Sequence, residues 1–117
     1  MNDKLKIYLE NRAARCREKS AALQADLRRD EANMEKIRGN VYEVFRTVID
    51  AAEKTQSSED TARGFFISRL DSIPAAWLSA LDKAREHGDD ARAAIEMIKL
   101  EAVADIRAAL VLWEVET

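Results

Sequence analysis

Apolar residues recur along the first half of the chain at alternating steps of four and three. The positions are Leu9, Ala13, Cys16, Ser20, Leu23, Leu27, Asp30, Met34, Ile37, Val41, Val44, Val48 and Ala51, and only Ser20 and Asp30 are polar. This spacing keeps side chains on one narrow face of an α-helix, as in a coiled-coil seam. The phase passes through Gly39-Asn40 unchanged, so the pattern predicts one helix from Asn2 or Asp3 to about Lys54. A break at Gly39 is the alternative, because Gly followed by Asn is a C-cap signal. Against it, glycine inside a helix costs only ~1 kcal/mol relative to alanine, and a turn would reset the phase. An unbroken helix from Leu9 to Ala51 would be about 65 Å long at ~1.5 Å per residue. A compact chain of this size has a radius of gyration of only ~13 Å.

The stripe changes character along its length. Up to residue 33 it is thin, with Ala13, Cys16, Ser20 and Asp30 between leucines and many arginines alongside. From Met34 a second stripe of Tyr42, Phe45, Ile49 and Ala52 widens it. A narrow stripe suits a two-helix seam and a wide one suits a bundle core. Residues 1–33 are therefore expected to form a coiled-coil-like helical arm, and residues 34–117 a helical bundle.

Three further helices follow from punctuation and periodicity. Ser57 or Ser58 can cap a helix carrying Ala62, Phe65, Phe66, Leu70 and Ile73, with Glu59 and Asp60 in its first turn. It should end near Asp71 or Ser72, because the residue before Pro74 is pushed out of helical geometry. Pro74 fits the first turn of the next helix, which carries Trp77, Leu78, Leu81 and Ala84 and stops at His87-Gly88. Asp89 can cap a last helix of about Asp90 to Trp113, with Ile95, Ile98, Ala102, Ile106 and Ala109 on one face. The expected fold is all-α: a four-helix bundle with a long N-terminal helix, five helices if it breaks at Gly39.

Composition narrows the function classes. No apolar run approaches the ~20 residues of a membrane span, and the start has no signal-peptide hydrophobic region. The single cysteine excludes an intrachain disulfide and points to a reducing compartment, so a cytoplasmic protein is expected. The net charge of −3 conceals a mildly basic first half and an acidic second half. Residues 1–56 carry twelve Lys or Arg against ten Asp or Glu, and the remainder carries seven against twelve. Such a small excess argues against nucleic-acid binding, which concentrates positive charge far more strongly.

Chemistry-bearing residues are few. His87, the one histidine, stands at a helix end, where an imidazole complements the dipole, and no Glu-x-x-His pattern accompanies it. Cys16 has arginines nearby that could activate a thiol, yet its seam position suits a small buried side chain. The acidic pairs Asp30-Glu31 and Asp89-Asp90 lack the spaced oxygen ligands and turning glycine of a calcium loop. Phe66, Trp77 and Trp113 read first as core anchors and second as the lining of a ligand pocket. No metal, cofactor or catalytic residue is therefore assigned.

The expected function is non-enzymatic: a small helical homodimer that binds a protein partner in a structural, adaptor or regulatory role. The residues expected to make the pairing are Leu9, Cys16, Leu23, Leu27 and Met34, with Asp30 as a register device. The alternatives are a nucleic-acid-associated regulator using the basic N-terminal stretch, and a bundle that holds a small ligand.

Overall fold

In the computed structural model, residues 2–116 are described, with side chains through Trp113. They form five helices: α1 (Asn2–Ala25), α2 (Arg29–Thr55), α3 (Glu59–Ser72), α4 (Pro74–Glu86) and α5 (Asp90–Glu116). The fold is an all-α bundle, and none of these helices is long and apolar enough to cross a membrane.

The stripe from Leu9 to Ala51 is carried by two helices and not by one. The chain reverses at Asp26–Arg28, where Leu27 adopts a left-handed conformation with φ of +61°. The Leu27 amide donates to the Gln24 carbonyl at 3.0 Å and the Arg28 amide to that of Leu23 at 2.9 Å. This is the Schellman arrangement that ends many helices, usually with glycine at the left-handed position. The same motif recurs after α4 with Gly88 at φ +67°, where Asp89 donates to Ala84 at 2.8 Å. Gly88 is readable because glycine tolerates that geometry, whereas Leu27 gives no such signal.

Beyond the turn, α1 lies antiparallel along α2. Ser20 Oγ donates to the Ala32 carbonyl near the turn at 2.9 Å, Arg12 reaches Tyr42, and Arg46 reaches Glu10 at 2.9 Å. Lys6 pairs with Glu53 toward the far end. The expected projecting arm is therefore folded back, and its coiled-coil-like pairing is with α2 of the same chain. The spacing runs on through the turn, but the face of α2 that meets α1 is shifted from it. Helix α2 meets α1 through Glu35, Gly39, Tyr42, Glu43 and Arg46, one to two positions on from Met34, Ile37, Val41 and Val44.

Gly39 does not break the helix. A Cβ on Gly39 would lie 3.0 Å from the Cβ of Cys16, so the missing side chain sets how closely α1 and α2 approach. The pair is small against small, and the glycine is a packing device in mid-helix.

The remaining boundaries follow the punctuation closely, except that Ile73 before Pro74 keeps helical geometry, at φ −61° and ψ −45°, contrary to the expectation for a residue preceding proline. Ser58 caps α3 in a box with Thr61, each side chain bonding the other's backbone amide. Pro74 opens α4, and Asp89 Oδ1 accepts from the Arg92 amide at 3.0 Å ahead of α5. Leu5, Leu9, Ala13 and Cys16 of α1 share one core with Tyr42, Phe45 and Ile49 of α2, Phe66 and Leu70 of α3, and Ala102 and Ile106 of α5. Phe45 and Phe66 meet edge to face at 5.9 Å, a geometry aromatic pairs favour.

Candidate interaction surfaces

The six residues expected to pair with another chain do not share a face. Leu9 and Cys16 are buried in the core, and Leu23 and Met34 are half-buried. Leu27 is 78% exposed at the tip of the turn. Asp30 is exposed in the first turn of α2, so its charge faces a helix N-terminus, where a carboxylate is stabilising. Within the chain it is exposed and takes no part in a buried seam.

A polar cluster joins α1, α2 and α5. The Tyr42 ring is fully buried, and its hydroxyl donates to Asp105 Oδ2 at 3.1 Å. Arg12 Nη2 lies 3.2 Å from both the Tyr42 hydroxyl and Asp105 Oδ2, and its guanidinium stands 5.3 Å from the Tyr42 ring centre. Tyr8 packs edge-on to both Tyr42 and Trp113. Burial pushes the Tyr42 hydroxyl up to about 12, against the opposing pull of the Arg12 hydrogen bond and charge. Burial raises the Tyr8 hydroxyl as well. Both phenols are thus held neutral, which suits a structural tie between three helices. A buried tyrosine demands a partner for its hydroxyl, but Arg12 and Asp105 are 93 positions apart and no local pattern connects them.

Other chemical groups are engaged separately. His87 Nδ1 lies 2.8 Å from the Lys83 carbonyl at the end of α4. Burial raises the Cys16 thiol, with Glu35 adding to the effect, so the thiolate is disfavoured. Phe66 packs on Phe45, Trp113 on Tyr8, and Trp77 receives the Lys99 ammonium at 5.6 Å. Phe66 lies within the core, and Trp77 and Trp113 pack against it. Glu96 is buried and is paired by Arg92 and Lys99. Among the described residues no group of three His, Cys, Asp or Glu side chains is arranged to hold a metal ion.

A stretch of uncovered apolar surface lies along α5 where it meets α3 and α4. Met97, Leu100, Ala104, Arg107 and Val111 follow steps of three and four along α5, and Val111 is 59% exposed. Leu78 on α4 is 53% exposed beside them, and Ile67 on α3 is also exposed. One hollow of about 330 Å³ includes Pro74, Ala75, Leu78, Leu100, Val103 and Ala104 in its lining. A second, of about 240 Å³, is bounded by Ile67, Leu70, Leu110 and Val111. Arg107 lines both. Its Nη1 pairs with Asp71 at 2.7 Å, and its Nη2 donates to the Leu70 carbonyl at 3.0 Å, closing the end of α3. The face expected from the sequence, with Ile95, Ile98, Ala102, Ile106 and Ala109, is buried or half-buried, and the exposed stripe lies beside it.

The fold and its surfaces define a small helical bundle with an apolar face open along α5. Comparison with protein-family models, with curated proteins and with solved structures finds no match to this chain.

Proposed function

We propose that the protein is a non-enzymatic helical module of the cytoplasm that self-associates and binds a protein partner, in a structural, adaptor or regulatory role. The observation that carries this reading is the apolar stripe of α5, with Leu78 and Ile67 beside it. Contiguous exposed apolar surface of this kind is the usual mark of a protein–protein contact. Its heptad-like spacing suits another helix as the covering element. The pairing surface is thereby moved from the N-terminal seam, whose leading residues are taken up within the chain, to α5.

Ion pairing weighs against the nucleic-acid alternative. Lys6, Arg12, Arg17 and Lys19 of α1 are paired with Glu53, Asp105, Glu43 and Glu35, which leaves little uncompensated charge for phosphates. Phe66 is fully buried and Trp77 and Trp113 pack against the same core, which weighs against a ligand pocket built on those rings.

The test is mass in solution across a concentration series, for the wild type and for Val111→Asp. Association that weakens with dilution and is lost in the variant supports the proposal. A monomer at every concentration overturns the self-association.

A further inference from the structure

We infer that α4 is a releasable cover, which opens from α5 as a unit while the core formed by α1, α2, α3 and the second half of α5 stays folded. The inference stands apart from the self-association proposed above and concerns the single chain.

The place of α4 relative to the core is the first observation. Between Leu70 and Ala102 no residue belongs to the buried core, and α4 packs against it through Trp77. Leu81 and Ala84, buried on α4, lie outside it. The polar ties between α4 and α5 are thin. Arg85 Nη2 reaches the Met97 sulfur at 3.9 Å, and Lys99 Nζ lies 5.6 Å from the centre of the Trp77 ring.

What α4 covers is the second. Glu96, Leu100, Val103 and Arg107 follow steps of four and three along α5, so they share one face. Leu100, Val103 and Arg107 line one hollow with Pro74, Ala75 and Leu78. Glu96 therefore faces α4 one turn nearer to Gly88, level with Leu81 and Ala84. Its side chain is fully buried. Arg92 Nε and Lys99 Nζ both reach its Oε1, at 3.1 and 3.4 Å, whereas no protein donor reaches Oε2. Both cations stand on α5, so opening breaks neither pair and returns the carboxylate to water. A buried carboxylate short of donors disfavours the closed state alone.

The joint with α3 is the third. Helical backbone runs through Ile73, a geometry that a following proline disfavours. Pro74 has no amide to donate to the Leu70 carbonyl one turn back. Arg107 Nη2 supplies that donor at 3.0 Å, and its Nη1 holds Asp71 at 2.7 Å. Arg107 is thus a latch from α5 onto the joint. When α4 opens, Glu96, Leu100 and Val103 are uncovered together.

The experiment is hydrogen–deuterium exchange of the full chain, read by mass spectrometry of its peptides. Residues 74–86 should exchange about tenfold or more faster than 41–52 and 102–110, with a weaker dependence on urea, because opening one helix exposes less surface than unfolding the core. Glu96→Met replaces the carboxylate by an apolar chain of similar length; it should slow the exchange of α4 by about tenfold and leave the core peptides unchanged. Arg107→Met removes the latch and should speed the exchange of α4 by about tenfold. Exchange of α4 in step with the core, at the same urea dependence, overturns the inference. So does a Glu96→Met chain in which α4 exchanges as fast as in the wild type or faster. Should Glu96→Met fail to fold, measured by circular dichroism, the wild-type urea dependence and Arg107→Met decide, and an unchanged α4 in the latter overturns the latch.

Discussion

The Cβ of Cys16 stands 3.0 Å from the position a Cβ would occupy on Gly39, so α1 and α2 touch where one of them has no side chain. The contact is to a Cβ, which cannot swing aside without moving its helix. Gly39→Ala therefore brings two opposed effects, a gain of ~1 kcal/mol in helix propensity and an overpacking cost of about 1–3 kcal/mol. The net expectation is loss of stability in urea denaturation. In a Cys16→Gly background the clash is absent, and the same Gly39→Ala change should stabilise. If the two backgrounds respond alike, the steric account fails.

Leu27 holds a left-handed backbone at φ +61° with its side chain 78% exposed. An L-residue there is disfavoured by roughly 1–2 kcal/mol, and the exposed side chain offers little packing in return. Leu27→Asn should raise the thermal midpoint, because asparagine visits this conformation more readily. Leu27→Val should lower it, since β-branching worsens the same backbone clash. Calorimetry of the three proteins gives the order directly.

The hydroxyl of Tyr42 predicts an alkaline weakness. Its folded value of about 12 exceeds the ordinary value of 10.0, so the folded state prefers the neutral phenol. That contribution is complete below pH 10 and is lost as pH rises toward 12. The slope from one such group is at most ~1.4 kcal/mol per pH unit. Tyr42→Phe cannot titrate, but it removes the hydrogen bonds to Arg12 and Asp105. The variant should be less stable than wild type at neutral pH by about 1 kcal/mol, with the gap narrowing above pH 10. Denaturation midpoints at neutral and alkaline pH decide it; a constant gap contradicts the assignment.

Asp30 and Ser58 separate two kinds of helix start. Ser58 makes a reciprocal box with Thr61, and Ser58→Ala should cost about 1 kcal/mol. Asp30 is exposed in the first turn of α2, and Asp30→Ala should cost only a few tenths of a kcal/mol, an effect that salt reduces. A large, salt-independent loss at Asp30 would restore a buried register role.

The starts of α3 and α4, the turn at Gly88 and the cap at Asp89 were legible because each depends on groups within a few residues of one another. Serine caps, a proline in a first turn and a glycine in the left-handed region act through local sterics and hydrogen bonds. The helical character of the whole chain was legible for the same reason, from propensity and period.

The seam shows where such reading stops. A phase can continue along a sequence while the backbone turns, because periodicity records spacing and carries no information about whether the helix axis continues. Leucine at position 27 gives no stop signal, and the glycine that seemed to give one at position 39 is used for its volume.

The sequence by itself determined the all-helical character, the amphipathic faces of the last three helices and most of their ends, since these arise from near neighbours along the chain. Only the tertiary structure decided that α1 folds back on α2, that Arg12, Tyr42 and Asp105 converge, and that α5 keeps an open apolar face. Those outcomes depend on which surfaces fit at close range across tens of residues, and fit is a property of assembled helices.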